Sequence, residues 1–464
     1  SLGIDLPGIK KTDGFGGLES QDITLRIVKG RTLHRVILMG LGKRDEVTAT
    51  SLRRRLQRAG ILVRARDIAR PAVILPAGLP IAPELVIRAA VTGLLLGFAP
   101  PLTYAAKRRT GKKRAALAQL VLPGCNVRSL SRTASRSAAL GDIIVEARSW
   151  VAEPANVLGP AELARNASRL AKENGASAQV WTSQRIRKER MRLLDAVGKG
   201  SERKPRFVRL RWTPKKRGRR TPPHVVIVGK GIVFDTGGLS LKTAKGMPSM
   251  KNDMAGAAVA AATVAAAAAM NLPVRVTGLL SIAENTPSST SYRPGDVIRG
   301  RGGKSVEIIN TDAEGRLVMA DALTLASEMK PDAIIDVATL TGSCIVALGS
   351  LTAGLWSNDD SLATSLLEAA DQTGESMWRM PLSREIRPYL RSDVADIRNT
   401  ASDPWGGATA AALFLQEFVS RAPWAHLDIA GPAFNEKRTE AGPRGATGYG
   451  ITTLVRMLEN LSTS

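Results

Sequence analysis

The eight residues NTDAEGRL at positions 310–317 decide how the rest of the chain is interpreted. Asp312 and Glu314 place two carboxylates two residues apart, and an arginine follows two residues later. The mostly apolar residues 306–309 predict a strand before this turn, and residues 317–329 predict a helix after it. A parallel α/β sheet carries its functional loops at such passages from strand to helix. The turn therefore suits a bound cation beside a bound anion, while a capped helix N-terminus would use the same acids.

Length and composition limit the possible classes of protein. A chain of 464 residues predicts two domains, and 44% hydrophobic with 23% charged residues is typical of a soluble globular protein. No uninterrupted apolar run reaches about 18 residues, so we expect no transmembrane helix and no membrane partner. The chain starts at Ser1 without a recognisable signal peptide, and the missing initiator Met predicts a processed or truncated N-terminus.

Cysteine and histidine usage narrows the chemistry. Cys125 and Cys344 form no CxxC pair, which favours a reducing compartment over a disulfide scaffold. The three histidines are too few and too scattered for an HExxH zinc motif or a His-rich metal cage. A metal site in this chain would use carboxylate oxygens, which suit several divalent ions.

Positive charge is concentrated in the first half of the chain. Residues 1–222 contain 45 Lys and Arg against 16 Asp and Glu, a net charge of +29, whereas residues 223–464 contain 21 against 25, a net charge of −4. Such asymmetry predicts an acidic partner for the basic half, with nucleic acid as the usual candidate. Basic clusters at 107–114, 185–192 and 215–220 support this, although each alone is typical of a solvated surface.

Alternating strand and helix patterns predict an α/β fold. We assign a smaller N-terminal α/β domain to residues 1–132 and a long connecting helix with its linker to residues 133–160. Residues 161–464 are assigned to a larger C-terminal α/β domain with a central mixed sheet. Residues 1–30 are Gly-rich and weakly patterned, without a clear strand before about residue 23.

Polar side chains recur at the ends of predicted strands in the second half. If the sheet is parallel and its loops face one way, four carboxylates and three cations converge on one cavity. Four acids there repel one another unless cations compensate them. Two divalent ions about 3.5–4 Å apart would compensate them and bind a water and a carbonyl, while a salt-bridge network is the alternative. The residues are Lys230, Asp235, Lys242, Asp253, Asp312, Glu314 and Arg316.

Residues 310–317 resemble the signature of the leucyl aminopeptidase family, the cytosol aminopeptidases with two metal ions. The family's metal-binding loops are similar to residues 228–232, 234–238 and 250–254. Further similar stretches are residues 293–298, 339–342, 392–396 and 445–450. The resemblance covers residues 30–460 and is strongest from residue 224 onward. The N-terminal domain is more basic than the family leads us to expect.

The resemblance implies that the larger domain is catalytic and binds two divalent ions, Zn²⁺, Mn²⁺ or Mg²⁺. Asp235 and Glu314 would bridge both metals, and Asp312 would complete the more exchangeable site. Lys230 and Asp253 would complete the tighter site, where the lysine must be a neutral amine.

The resemblance also implies catalytic and substrate-binding roles. A metal-activated water would attack the scissile carbonyl, and Lys242 would stabilise the developing oxyanion. Arg316 would bind a bicarbonate that acts as the general base. The free α-amine of the substrate would bind the tighter metal and Asp253. The positions that match residues near the family's apolar side-chain pocket are Met250, Thr339 and Gly342.

The sequence thus predicts a metal-dependent aminopeptidase that removes leucine-like residues from the N-terminus of peptides. The alternative, which the basic half motivates, is a nucleic-acid-binding or scaffold protein that retains the aminopeptidase fold. The resemblance implies a homohexamer with the basic N-terminal domains outside, where a nucleic acid or another polyanion could reach them. We expect a cytoplasmic location, with a mitochondrion or plastid as the alternative.

Overall fold

The computed structural model describes residues 5–105, 117, 119–215, 221–437 and 443–461. The chain forms two compact units, of which one ends at Val145 and the other begins at Glu146. Each unit combines helices with strands, which confirms the predicted α/β class. The boundary lies inside one long helix, so the limits predicted for the three segments stay a prediction.

Helices and short strands alternate in the first unit. Its last helix continues into the second unit. The elements are α1 (Leu6–Asp13), β1 (Asp22–Lys29), β2 (Thr32–Met39), α2 (Ala49–Ala65), β3 (Ala72–Ile74), α3 (Pro83–Phe98), β4 (Gln119–Val121) and α4 (Val127–Ala152). Strands β1 and β2 form an antiparallel hairpin, and β3 pairs with β4 in parallel.

Helices α2 and α3 form the core of the first unit. Helix α2 begins after Thr48, whose hydroxyl accepts a hydrogen bond from the Ser51 amide. The two helices approach closely at Gly60, where a Cβ atom would lie 2.8 Å from the Gly97 Cα. Burial of apolar side chains around this crossing stabilises the unit. They include Leu52, Leu56, Val63, Val86, Ala90, Leu94 and Phe98.

Some arginines of this basic unit bind backbone carbonyls of the same unit. The buried Arg55 donates to the Gly40 carbonyl at 2.8 Å and to the Gln21 carbonyl at 2.7 Å. Arg64 donates to the Gly97 carbonyl at 2.9 Å. Because a guanidinium offers several donors, one arginine can bind carbonyls of two separate segments at once. Part of the positive charge therefore stabilises the fold itself.

The second unit contains most of the regular structure. The elements are α5 (Pro160–Glu173), β5 (Ser177–Trp181), α6 (Ser183–Lys188), α7 (Arg192–Lys199), β6 (Arg206–Trp212), β7 (His224–Asp235), α8 (Ala255–Ala269), β8 (Arg275–Asn285), β9 (Val297–Arg299), β10 (Ser305–Glu307), α9 (Glu314–Glu328), β11 (Ala333–Ala338), α10 (Gly342–Leu348), β12 (Ala353–Ser357), α11 (Asp360–Thr373), β13 (Met377–Arg379), β14 (Ile397–Arg398), α12 (Gly407–Gln416), β15 (Trp424–Asp428), β16 (Phe434–Asn435), β17 (Gly445–Ala446) and α13 (Ile451–Asn460).

Within the described residues, eight strands form the central sheet in the order β13-β12-β15-β11-β7-β8-β6-β5. Strands β15, β11, β7 and β8 are parallel neighbours. Strands β12 and β6 pair antiparallel with β15 and β8, so the sheet is mixed, as the sequence predicts. The carboxyl ends of β7, β8 and β11 therefore share one edge of the sheet, where open α/β sheets bind ligands.

Helix α8 packs against the central sheet and consists almost entirely of alanine. The stretch Met250–Ala269 is long and apolar enough to cross a membrane, but 89% of its apolar window is buried inside the fold. Small side chains allow a close approach to the strands. A Cβ atom on Gly229 would lie 2.5 Å from the Gly256 carbonyl oxygen, and one on Gly256 would lie 2.1 Å from the Val337 carbonyl oxygen. Helix α8 is therefore a core helix.

The structure differs from the sequence-based expectations at three elements. Helix α1 occupies part of the weakly patterned residues 1–30, where its local signals are the Asp5 cap, a proline in the first turn and a left-handed glycine, Gly14, at its end. Strand β7 continues to Asp235, so Lys230 lies inside the strand, because its pairing with β8 extends beyond the lysine. Strand β10 forms a separate small sheet with β9 and β14, so the strand before the turn at 310–317 is not part of the central sheet.

The structure describes only part of the three basic clusters. Residues 107–114 and 216–220 lie outside the described residues. Within 185–192, Arg185 and Arg187 belong to the short helix α6 and their side chains are 43% and 59% exposed. This part of the cluster is a solvated helix face, which is the simpler of the two interpretations.

Replacing Gly256 by alanine is expected to destabilise the second unit. The added Cβ would lie 2.1 Å from the Val337 carbonyl oxygen, so α8 or β11 would have to move. Such overpacking typically costs about 1–3 kcal/mol, which urea denaturation followed by circular dichroism would measure. Gly246→Ala is the matched control, because its nearest neighbour would be Thr243 Oγ1 at 3.5 Å. An equal loss of stability in both variants would contradict the steric explanation.

Candidate metal centre

Three adjacent parallel strands bring polar side chains to one edge of the central sheet. Asp235 is the last residue of β7, Asn285 is the last residue of β8, and Thr339 directly follows β11. The register between β7 and β8 shifts between Ile232 and Asp235, as at a β-bulge. Such irregularities re-aim the side chains at a strand end. Asp235 is therefore at the same edge of the sheet as Asn285 and Thr339.

Two further carboxylates come from the turn before α9. Glu314 is the first residue of this helix, a position that favours a carboxylate because of the helix dipole. The Asn310 side-chain oxygen accepts a hydrogen bond from the Asp312 amide at 2.8 Å, which fixes the turn. Carboxylate oxygens of Asp235, Asp312 and Glu314 all lie within 4.8 Å of one another. These three residues form a compact, acidic cluster.

Lys230 lies between two buried carboxylates. Its Nζ is 2.8 Å from Asp253 Oδ1 and 2.9 Å from Glu314 Oε1, and it donates to the Thr339 carbonyl at 3.0 Å. Burial alone would lower the pKa of Lys230, but the carboxylates of Asp253 and Glu314 outweigh burial and raise it above its ordinary value. The ammonium form of Lys230 thus neutralises both acids.

Lys242 lies between the other two carboxylates. Its Nζ is 2.8 Å from Asp235 Oδ2 and 2.5 Å from Asp312 Oδ1. Burial lowers its pKa, but the adjacent Asp235 and Asp312 raise it further, so the side chain stays charged at neutral pH. The loop that carries Lys242 needs glycine at Gly237, whose φ is +86° and where a Cβ would lie 2.4 Å from the Ser240 carbonyl oxygen.

The acids of the cluster are difficult to ionise without cations. Burial, together with the charge of Asp235, raises the pKa of the Glu314 carboxyl to about 8. Burial also raises the pKa of Asp253 to about 6, although Lys230 opposes the increase. The pKa of Asp312 is raised for the same reason, burial. Additional positive charge in the cavity would favour the ionised form of all three carboxyls.

The side chains present fit a divalent metal centre. Among the described residues, Asp253 Oδ2 and Glu314 Oε2 are buried and have no hydrogen-bond partner. Such oxygens are costly unless a partner satisfies them. Together with Asp235 and Asp312, they supply the carboxylate oxygens that hard divalent cations prefer. A cation bound by these acids would also favour the neutral amine of Lys230 that metal ligation requires.

Arg316 presents an unused donor close to this cluster. It is buried on α9, and its Nη1 donates to the Asn399 carbonyl at 2.8 Å. Its Nε has no hydrogen-bond partner among the described residues. Burial lowers the pKa of Arg316 to about 10, which still leaves the guanidinium charged at neutral pH. A small anion would satisfy the free N–H with a charge-assisted hydrogen bond.

Two of the three residues predicted to contact the substrate lie beside Asp253. Met250 opens the 3₁₀ turn Met250–Asn252 that leads to Asp253. The Thr339 hydroxyl donates to Asp253 Oδ1 at 2.8 Å, and Gly342 begins α10 three residues later. The structure therefore places Met250 and Thr339 beside Asp253. Their contact with a substrate stays a prediction.

Two asparagines that the sequence analysis missed fix the acidic cluster. Asn285 donates to Asp235 Oδ1 at 2.8 Å and to the Thr311 carbonyl at 3.0 Å. The Asn399 side chain donates to the Asn310 carbonyl at 2.7 Å and accepts from the Asn310 amide at 3.3 Å. The strand-end position of Asn285 was the only available signal for it. Asn399 directly follows β14, a strand of two residues that is too short to be recognised from the sequence.

Asp428 and Tyr292 fix two neighbouring loops and were also missed. Asp428, at the end of β15, accepts from the Leu340 amide at 3.1 Å and from the Thr341 hydroxyl at 2.7 Å. The Tyr292 hydroxyl donates to the Thr311 carbonyl at 2.7 Å. Both side chains are buried. Their partners flank Thr339 and Asp312, so they orient the metal centre without lying in it.

Comparisons with known proteins find similar sequences and a similar solved structure. The sequence profile described as "Cytosol aminopeptidase family, catalytic domain" matches residues 145–455. A probable cytosol aminopeptidase from Streptomyces avermitilis is 42% identical over 98% of this chain and 89% of its own length. Its counterpart from Geobacter sulfurreducens is 39% identical over 95% of this chain and 90% of its own. Among solved structures, the bottromycin maturation enzyme BotP in complex with Mn has a TM-score of 0.88 and 35% identity, covering 99% of this chain and 97% of that chain.

Replacing Asn285 by alanine is expected to weaken divalent-metal binding by roughly 10- to 100-fold, because Asp235 loses the hydrogen bond that orients it. Titration calorimetry with MnCl₂ at constant pH would measure the change in affinity. Asn174→Ala is the matched control, since its amide donates only to the Leu170 carbonyl of its own helix at 2.9 Å. Equal affinity in the Asn285 variant and the unmodified protein would show that Asp235 does not need this support.

Proposed function

The chain belongs to the cytosol aminopeptidase family and is a leucyl-type, metal-dependent aminopeptidase that hydrolyses peptides, and from this premise we propose which residues carry the reaction. Asp235 and Glu314 would contribute to the binding of both divalent ions. Asp312 would complete one metal site, and Lys230 and Asp253 would complete the other. In this assignment each of the four carboxylates, those of Asp235, Asp253, Asp312 and Glu314, would bind at least one metal ion.

One observation carries the assignment. Among the described residues, Asp253 Oδ2 and Glu314 Oε2 are buried and have no hydrogen-bond partner, on the two carboxylates that Lys230 already contacts through their other oxygens. A purely structural salt-bridge network would satisfy these oxygens with protein donors. A cavity that leaves them free beside a lysine amine supports metal ligation over the salt-bridge alternative.

Lys242 is the proposed electrostatic catalyst. Two divalent ions bound at the cluster would polarise the scissile carbonyl and acidify a water molecule. Lys242 keeps its positive charge, because Asp235 and Asp312 raise its pKa despite burial. An ammonium group beside the scissile carbonyl would stabilise the negative charge that develops on the oxygen. Its partly buried surroundings make this interaction stronger than it would be in water.

Asp253 is the proposed receptor for the α-amine of the substrate. Its carboxylate is oriented by Lys230 and by the Thr339 hydroxyl, and the amine would need such a negative partner in a buried site. Met250, Thr339 and Gly342 would surround the first side chain. A substrate without a free N-terminus cannot form the contact with Asp253, so the arrangement favours removal of single N-terminal residues.

Arg316 is the proposed seat of a bicarbonate that would serve as the general base. Its Nε, which has no hydrogen-bond partner among the described residues, and its burial beside Asn399 support the binding of a small anion there. Asn399 contacts both Arg316 and the turn that carries Asp312, so it would set the distance between that anion and the metal centre.

Metal identity, assembly and location complete the proposal. Divalent metal binding follows from the family, and we propose zinc, manganese or magnesium as the native ion, since the solved relative BotP contains Mn. We also propose a homohexamer, which the family resemblance implies, and a cytoplasmic location, because the curated relatives are described as cytosol aminopeptidases. The segment limits 1–132, 133–160 and 161–464 are kept as the proposed domain organisation.

We further propose that the basic half binds a polyanion such as nucleic acid, in addition to the peptidase activity. The net charge of +29 over residues 1–222 supports this, because the peptidase chemistry uses none of it. Some of these basic residues, such as Arg55 and Arg64, are engaged within the fold, so the proposal concerns those that remain exposed. Because such binding would involve the phosphates, it would be largely independent of the base sequence of the nucleic acid.

Replacing Glu314 by alanine is expected to abolish turnover, lowering kcat/KM by more than roughly 100-fold, because both metal sites share this carboxylate. Hydrolysis of leucine p-nitroanilide with Zn²⁺, Mn²⁺ or Mg²⁺ would measure the change, and metal analysis of the dialysed protein would show loss of bound metal.

Glu368→Ala serves as the control for this variant. Glu368 is an exposed residue on α11, in the same unit as Glu314 but without a place in the metal centre. The control should retain both turnover and metal content. Normal turnover by a folded Glu314→Ala variant would exclude the proposed metal centre as the site of catalysis.

Duplex DNA is expected to bind at roughly 50 mM salt and to lose at least about tenfold in affinity by roughly 200 mM, since phosphate contacts release counterions. Replacing Lys107, Arg108 and Arg109 by alanine should weaken binding and reduce the salt dependence. Replacing Arg384 and Arg391, which lie in the other half, should leave binding unchanged. Fluorescence anisotropy with labelled DNA would measure both, and absence of binding at the lower salt concentration would refute the proposal.

A further inference from the structure

The segment between Asn399 and Gly407 joins two sides of the proposed active site. At its start, the Asn399 carbonyl accepts a hydrogen bond from Arg316 at 2.8 Å. At its end, Gly407 lies so close to α10 that a Cβ atom on it would be 2.8 Å from Ser343 Oγ. Ser343 directly follows Gly342, one of the residues proposed to surround the first side chain of the substrate. This bridging segment, residues 399–407, therefore runs from the anion seat to the side-chain pocket.

The bridging segment is fixed to the protein at several points along its length. The Ser402 amide donates to the Tyr389 carbonyl at 2.9 Å. Gly406 adopts a φ of +66°, and a Cβ atom there would lie 2.7 Å from Ile386 Cδ1. The Asp403 side chain accepts from the Trp405 amide at 2.8 Å, which closes a local turn. The segment is therefore an ordered loop that presents Trp405 in a fixed place.

Trp405 is an unusual side chain in this setting. It is 78% exposed, whereas Trp356 and Trp424 in the same unit are fully buried. Tryptophan is highly buried on average, and an exposed aromatic ring near a binding site commonly serves recognition. Trp405 lies two residues before Gly407, so its Cα is at most about 7.6 Å from the glycine that touches α10. The indole is thus within reach of the rim of the site.

We propose that Trp405 is a specificity-determining residue that contacts the part of the peptide beyond the scissile bond and favours a bulky apolar residue there. This inference rests on the proposed function and deepens it by naming a substrate class. The first residue of the substrate would occupy the buried side of the site, beside Asp253 and Thr339. Because Asp253, which would hold the α-amine, is buried, the peptide beyond the scissile bond would extend toward solvent, where the exposed indole can contact it.

The aromatic contact has a measurable size. Contacts of a ring with an apolar or aromatic partner contribute about 0.5–1.5 kcal/mol beyond simple burial, which corresponds to roughly three- to tenfold in kcat/KM. The effect should depend on the second residue of the substrate. It should be present for Leu-Phe and weak for Leu-Gly. Leucinamide has no second residue and serves as the internal reference.

The test compares the full-length metal-loaded protein with Trp405→Ala, Trp405→Phe and Trp378→Ala. Trp378, on β13, is 63% exposed and provides the matched control for loss of a surface tryptophan. The ratio of kcat/KM for Leu-Phe to that for leucinamide should fall about three- to tenfold in Trp405→Ala and recover in part in Trp405→Phe. Trp378→Ala should keep the ratio of the unmodified protein.

Three other results would overturn the inference. An unchanged ratio in a folded Trp405→Ala variant would show that the indole does not contact the leaving peptide, although leucinamide hydrolysis would still support the proposed function. A change of oligomeric mass by light scattering in that variant alone would show that Trp405 contacts a second copy of the chain instead. Absence of metal-dependent leucinamide hydrolysis by the unmodified protein would overturn the proposed function, and this inference with it.

Discussion

Repulsion among four carboxylates in one cavity is the constraint on which the active unit depends. Burial strengthens this repulsion, because little water is available to screen it. Each of two lysines contacts two of the acids, and the acids still exceed the lysines by two formal charges. Divalent cations supply the missing positive charge, which is why a cavity that would be costly in an ordinary core suits a hydrolase. The acids are Asp235, Asp253, Asp312 and Glu314.

The scaffold around this cavity consists of neutral or buried groups that limit movement. Asn285 and Asn399 each bind two segments that are distant in sequence, and Asp428 fixes the loop that carries Thr339. Helix α8 also packs closely against the sheet at Gly256, which limits movement of the strands that carry the site. Fixed ligands reduce the reorganisation that metal binding and transition-state stabilisation require.

The two halves of the chain differ in how they use their charged residues. The second half is nearly neutral overall and places one group of charges in a largely buried centre, where acids and lysines compensate one another. The first half has a net charge of +29 and uses a few arginines, such as Arg55, to satisfy its own carbonyls. The remaining excess has no role in hydrolysis, so the proposed polyanion partner addresses a property of the chain that its peptidase activity does not explain.

The sequence by itself determined the elements and the chemistry that local spacing encodes. The turn at 310–317 identified Asp312, Glu314 and Arg316, and alternating patterns predicted the α/β class and the main strands of the central sheet. Only the tertiary structure decided which lysine contacts which acid, and that Asn285 and Asn399 support them. These contacts join groups far apart in the chain, as between Lys230 and Thr339. The physical reason is that hydrogen bonds and ion pairs depend on distance in space, which the order of the parallel strands sets and local sequence patterns do not record.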